Sequence, residues 1–300
     1  MDEIKLPELL LIDKEKGISS FTVIRKLRKL TGIRKFGHAG TLDPLATGLM
    51  LIGVEKGTKK LTELVGLDKE YVAEVLIGER RSTGDMEGEV LEERAYQNDL
   101  DTEKVQSVLN SMLGDLTLQV SAYSAIKKDG VPMYKRARQA EKKGEVVTEL
   151  PVRVMKVYEA ELIEFNIMTD IPNRLLCKVR FKVSSGTYIR SLAEELGRRL
   201  GYPATLANLR RTKIGDFKIE DAKRVEDFDK NTASPERRRG GYVGYGSLML
   251  RQTSAVTFID ANDRVQGGDK GFKLINLCFV AHEWRKVNGY ITGPRRNVLV

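Results

Sequence analysis

The sequence predicts an α+β fold in which a mixed, mostly antiparallel sheet is flanked by helices. Three observations carry this. Some segments alternate apolar and charged residues as half-buried strands do. Others repeat apolar residues at helical spacing. The two kinds do not follow one another in the regular order of a βαβ series.

Taken in chain order, the short apolar run Leu9, Leu10, Leu11, Ile12 predicts a buried strand. Ser19 or Ser20 then caps a helix whose Val23, Ile24, Leu27 and Leu30 share a face and which ends at Gly32. Residues 34–43 read as a loop, and Pro44 as the start of a short apolar helix running to about Leu51. Tyr71 to Ile77 alternates as a strand, and a turn follows at 84–88. Thr102 is the expected cap of a helix carrying Val105, Val108, Leu109 and Met112. Residues 152–165 read as strand. Leu175, Cys177, Val179, Phe181 and Val183 alternate with Lys178, Arg180 and Lys182 in a half-buried strand. Ile189, Leu192, Ala193, Leu196 and Leu200 line one face of a helix stopped by Gly201.

Between these elements, residues 119–150 read as an excursion from the sheet, with Tyr123 and Tyr134 among Lys127, Lys128, Lys135, Arg136 and Arg138. Aromatics interleaved with bases suit nucleobase stacking and phosphate contact. A surface helical hairpin has the same composition.

The 300 residues are enough for about two domains by the usual size rule. A hydrophobic fraction of 41% with 31% charged residues describes a soluble globular chain. No apolar run is long enough for a membrane span, and the acidic N-terminus is unlike a signal peptide. The expected location is the cytoplasm. Cys177 and Cys278, His38 and His282 are too few and too scattered for a zinc site or a disulfide framework, so no metal is expected.

The net charge of +9 is unevenly placed. Residues 230–300 hold 12 Lys/Arg against 5 Asp/Glu, whereas the other 229 residues hold 39 against 37. Within the body, bases concentrate at 178–218, including Arg198, Arg199, Arg210, Arg211, Lys213 and Lys218, a local footprint suited to nucleic acid or a solvated face. From about Asp229 the composition turns to Gly, Arg and Tyr, as in a linker, with short apolar runs at 255–259 and 274–281.

Asp43 followed by Pro44 reads locally as a helix N-cap and first-turn pair. The same placement puts a carboxylate at the mouth of a glycine-containing loop, where backbone can approach a substrate. His38 in that loop reads locally as a solvated or capping residue.

The stretch Gly37-His38-Ala39-Gly40-Thr41-Leu42-Asp43-Pro44-Leu45-Ala46-Thr47-Gly48 closely resembles the GHxGxLDPxAxG signature of the TruB family of tRNA pseudouridine synthases. Asp13-Lys14 with Gly17, Lys69-Glu70-Tyr71, Gly84-Asp85 with Gly88, Ala122-Tyr123-Ser124-Ala125, Ser185-Gly186-Thr187-Tyr188-Ile189-Arg190-Ser191 and Leu209-Arg210-Arg211 agree in order, so the resemblance runs from about 9 to about 222. Glu15 and Ser121-Ala122 depart from the family, which has prolines there. The resemblance does not extend over the last seventy or so residues.

It implies the pseudouridine synthase fold with a thumb-like RNA-binding insertion at about 119–150. The catalytic domain would be 1–228, followed by a basic segment, 229–300, of unassigned fold. It implies isomerisation of the T-loop uridine at position 55 of tRNA, without a cofactor, by base flipping, with Asp43 as nucleophile. Arg190 would hold Asp43, Tyr71 would stack on the flipped base, Tyr188 would pack beneath it, Leu209 would be an apolar contact, and His38 would help to displace the base. Lys14, Lys127, Lys128, Lys135, Arg136, Arg210 and Arg211 are the expected RNA contacts. The tRNA T-stem-loop is the expected partner of a monomer that needs no other protein. Two alternatives are a guide-RNA-dependent relative, which would lack the insertion, and a non-catalytic RNA-binding or tRNA-folding protein.

Overall fold

The computed structural model describes residues 6–145, 147, 149–168 and 174–228; the expected C-terminal segment at 229–300 lies outside the described residues. The elements in order are β1 (Leu9–Lys14), α1 (Ser20–Thr31), β2 (Phe36–His38), β3 (Thr47–Val54), α2 (Leu61–Val65), β4 (Lys69–Ile77), β5 (Glu79–Arg81) and β6 (Val90–Glu93). Next come α3 (Thr102–Ser111), β7 (Gly114–Gln119), β8 (Lys127–Lys128), β9 (Val131–Pro132), α4 (Met133–Glu141), β10 (Val152–Ile167), β11 (Leu175–Val183), α5 (Ile189–Leu200), β12 (Ala204–Ile214) and β13 (Phe217–Lys218).

The main sheet runs β1-β3-β12-β4-β11-β10-β7, with β2 added to β3 and β13 to β12. Every neighbouring pair is antiparallel except β12 with β3. The expected α+β architecture is therefore found. At the parallel pairing Gly48 lies against Arg211, and a Cβ on Gly48 would meet the Arg211 carbonyl oxygen at 2.3 Å. Only glycine fits there, and its φ of +105° also favours glycine.

Helix α1 forms where its pattern places it. Ser19 accepts the Thr22 N–H as N-cap, Gly32 closes the end in the left-handed conformation, and Val23, Ile24 and Leu27 are buried. Helix α5 ends at Gly201 and buries Ile189, Leu192, Ala193, Leu196 and Leu200. Helix α3 is capped by Asp101, whose carboxylate accepts from Lys104 N at 2.7 Å, not by Thr102. Cys177 is fully buried in β11, and burial pushes its thiol up to about 12. No helix among the described residues is long and apolar enough to cross a membrane.

The expected helix at 44–51 is not formed. After a turn in which Ala46 N donates to Asp43 O at 3.1 Å, the chain enters strand β3. A fully apolar run has no polar face to mark its period, so helix and buried strand look alike in it. Here β1, β2 and β12 supply hydrogen-bond partners for a strand. Asp43 consequently caps no helix. Strand β2, inside the segment expected to be loop, pairs Phe36, Gly37 and His38 with Val54, Gly53 and Ile52.

The excursion leaves the sheet between β7 and β10, as expected. It is a small hairpin, β8 and β9, joined by Asp129-Gly130, both at positive φ, followed by α4. This is the Asp-Gly dipeptide that a two-residue hairpin turn favours.

Candidate active site

The segment 37–48 is fastened from several directions. Ser20 Oγ, in the first turn of α1, donates to Leu42 O at 3.0 Å and accepts from Leu42 N at 2.8 Å. Leu42, Leu45 and Ala46 are buried, which anchors the loop by its apolar side chains. Lys14 Nζ donates to Pro44 O at 3.4 Å, Ile18 O at 2.7 Å and Glu15 O at 2.9 Å. Gly17 N adds a bond to Pro44 O at 2.8 Å. Arg211 donates to Gly40 O at 3.2 Å and Leu49 O at 2.7 Å. Asp43 stands at the centre of this scaffold with its side chain 44% exposed.

Arg190, in the first turn of α5, meets Asp43 with Nη2 3.1 Å from Oδ2. It is 6% exposed and donates to Thr83 O at 2.8 Å and Tyr123 O at 3.0 Å. Its Nη1 lies 3.7 Å from Asp85 Oδ2. One guanidinium thus joins the 37–48 loop, the 82–88 turn and the root of the inserted segment. Its planar fork, with donors fixed in direction, suits such a junction. Ser191 adds a bond to Gln119 O at 2.7 Å, securing the same root.

Tyr71 is buried on β4, opposite Phe181 of β11 and Arg211 of β12. Leu209 is half-buried on β12, paired with Ala73, so the register puts it on the Tyr71 face. Tyr188 is half-buried as the residue preceding α5; burial pushes its hydroxyl up, against the pull of Arg153 and Arg190. Burial, reinforced by Arg211, holds the His38 imidazole below its ordinary value, so the ring is neutral at pH 7. Asp43, Arg190 and Tyr188 are therefore brought together, and Tyr71, Leu209 and Arg211 share one face of the sheet.

The expected RNA contacts divide in two. Lys127 and Lys135 are exposed on the inserted segment, with no acidic partner among the described residues. Lys128 pairs with Glu149, and Arg136 bonds Asp129 at 2.9 Å and Lys128 O at 2.6 Å. Arg210 grips Asp13 with two bonds, of 2.8 and 3.1 Å. Lys14 and Arg211 are each only 1% exposed, and their donors are committed to backbone carbonyls of the loop and of β3. Burial lowers the Lys14 ammonium to about 8. These two bases hold the loop from within and present nothing to an outside phosphate.

The basic stretch at 178–218 is also largely compensated. Lys178, Arg180 and Lys182 face Glu164, Glu161 and Glu159 across the β10–β11 register. Lys213 pairs with Glu70, and Arg198 and Arg199 with Glu195. Such cross-strand neighbours cannot be read from one segment.

Asp85 is a site residue that the sequence reading left unassigned. It is 3% exposed, accepts from Thr83 Oγ1 at 2.6 Å and Glu87 N at 3.1 Å, and meets the Arg190 terminal nitrogen that does not face Asp43. The only signal for it was its place in the Gly84-Asp85 turn.

Residues 28–189 match the TruB family pseudouridylate synthase (N terminal domain). The chain belongs to this family. It is 39% identical over 227 residues to tRNA pseudouridine synthase B of Francisella tularensis subsp. tularensis (strain WY96-3418), covering 76% of this chain and 71% of that one. The protein of that name from Corynebacterium efficiens is 39% identical over 233 residues, covering 77% and 74%. Among solved structures, the Cbf5-Nop10-Gar1 complex superposes with a TM-score of 0.52 at 26% identity, and the H/ACA RNP bound to a substrate RNA containing 2'-deoxyuridine with 0.51 at 26%. Both cover 73% of this chain, which spans about half the length of those structural relatives. The fold is accordingly that of an RNA pseudouridine synthase.

Proposed function

We propose that the chain isomerises the T-loop uridine at position 55 of tRNA to pseudouridine, with Asp43 as the nucleophile. The observation that carries this is the half-exposed Asp43 carboxylate, held by a buried arginine whose other bonds fix its direction. The tRNA pseudouridine synthase B relatives support tRNA as substrate.

In the reaction the N1–C1′ bond breaks, the uracil turns, C5 bonds to C1′, the C5 proton leaves to solvent, and N1 takes up a proton in its place. No atom is gained or lost by the nucleoside overall. Asp43 acts as a covalent catalyst, by attack on the nucleotide or by way of a glycal. The uridine must leave its stack, which costs on the order of a few kcal/mol. Tyr71 stacks on the displaced base, Tyr188 and Leu209 pack beneath it, and His38 helps to open the loop. Lys127 and Lys135, exposed on the inserted segment, meet phosphates as that segment closes on the T-arm. Residues 1–228 act as the catalytic domain of a monomer.

Tritium release from tRNA labelled at uridine C5 tests this. The wild-type chain releases label, whereas Asp43→Asn binds tRNA without release. Robust release by the variant would sink the nucleophile assignment. One structural relative is an H/ACA RNP by name and the other a multi-protein complex, which favours guide-dependent action as the second reading. Turnover of an isolated T-arm stem-loop by the purified chain excludes it.

A further inference from the structure

Lys69 is a second buried lysine near the site, and the proposed reaction gives it no role. It opens β4 two residues before Tyr71, on the same face, and is 6% exposed. Its ammonium donates to Val65 O at 2.6 Å and Leu67 O at 2.5 Å, in the turn that closes α2, and to Ser185 Oγ at 3.2 Å. Ser185 Oγ itself donates to Val65 O at 2.6 Å. No carboxylate forms an ion pair with Lys69 among the described residues.

Ser185 belongs to the loop 184–188, which ends in Tyr188 and leads directly into Arg190. On its other side this loop is tied to β10: Ser184 N donates to Lys156 O at 2.9 Å, and Ser184 Oγ accepts from Lys156 N at 3.2 Å. The loop is therefore fastened by backbone to one strand and by an ammonium to another. An apolar side chain would fill the space beneath Ser185 without the cost of burying a charge. What it would lack is a set of donors directed at three oxygens at once.

We propose that Lys69 is a positioning residue for the reaction: through Ser185 its ammonium sets the pose of loop 184–188, and so the places of Tyr188 and Arg190 against Asp43. The proposal rests on the reading of those three residues as the active site. Burial, with Arg211 adding to it and Asp68 opposing, brings the Lys69 ammonium to about 8. The support it gives is present below that pH and weakens above it.

The test compares single-turnover rates of full-length wild type, Lys69→Met and Ser185→Ala on a T-arm stem-loop, across pH. Lys69→Met is expected to be slower by about tenfold near neutral pH, because small displacements of catalytic groups cost that much or more. Its affinity for the RNA should be unchanged. The ratio of wild-type to variant rate should shrink toward one as pH rises past the Lys69 titration, since wild type then loses what the variant already lacks. Ser185→Ala should reproduce part of the loss with the same closing ratio. The double variant should be no slower than Lys69→Met, as expected for one shared linkage.

A full-rate Lys69→Met or Ser185→Ala, or a deficit constant with pH as simple packing would give, overturns the proposal. If Lys69→Met does not fold, the closing ratio of Ser185→Ala decides alone. An inactive Asp43→Asn beside a full-rate Lys69→Met would remove only this inference. An active Asp43→Asn would remove the site reading beneath it.

Discussion

The two faces of the central sheet carry charge in opposite ways. On the face of Tyr71, Lys14, Lys69, Arg190 and Arg211 are buried, and most of their bonds go to backbone carbonyls. On the face of Glu70, charges are numerous and more exposed, and they pair across strands: Lys178 with Glu164 at 2.8 Å, Lys182 with Glu159 at 3.0 Å, Lys213 with Glu70 at 2.9 Å. Similar residue types do different jobs because of where water is. In a dry surrounding, a donor aimed at a carbonyl fixes a loop, and its loss leaves an unpaired polar group. At the wet surface an ion pair is screened and contributes little.

This contrast can be broken at either face. The largest effect is expected at Arg190. Arg190→Lys keeps the charge but loses the fork that spans Thr83, Tyr123, Asp43 and Asp85. Its single-turnover rate should fall by about a hundredfold or more, with RNA affinity nearly kept. A rate within threefold of wild type would mean that the junction needs only a positive charge.

Lys14→Met comes next. It leaves Pro44 O and Ile18 O without their ammonium partner and should cost about 1–3 kcal/mol in urea denaturation. The pH dependence has a definite sign. Since the folded-state value is lowered to about 8, the unfolded chain holds the proton more tightly. Wild type should therefore gain stability relative to the variant as pH rises from that value toward the ordinary lysine range. A stability difference independent of pH would show that Lys14 is not the buried cation described here.

The smallest effect belongs to the other face. Replacing Glu159, Glu161 and Glu164 together by glutamine should leave the denaturation midpoint in place at moderate salt. The corresponding removal of Lys178, Arg180 and Lys182 should change tRNA affinity little, because their charge is already balanced. A steep loss of affinity would show that the ladder opens to receive RNA.

How much of this was legible beforehand differs from element to element. Helix α1 could be placed from Ser19, Gly32 and the spacing of Val23, Ile24 and Leu27, because caps and periodicity are local properties. Strand β11 was equally plain, its buried and partly exposed residues alternating as written. Strand β3 was not, since an apolar run lacks a phase and its partners lie elsewhere in the chain. The signature around Asp43 pointed to the site, but the reading of Asp43 as a helix cap failed with the helix itself.

What the sequence by itself determined is thus the local set: caps, turns, alternating strands, the position of the insertion, and a motif that marks Asp43, Tyr71, Tyr188 and Arg190 together. What only the tertiary structure decided is which charges meet. Arg210 finds Asp13 across 197 residues of chain, Arg190 finds Asp85 as well as Asp43, and Lys14 and Arg211 turn inward to hold a loop instead of outward to RNA. The reason is physical. Backbone preferences act over a few residues, whereas burial and ion pairing depend on neighbours in space, which only the sheet order brings together.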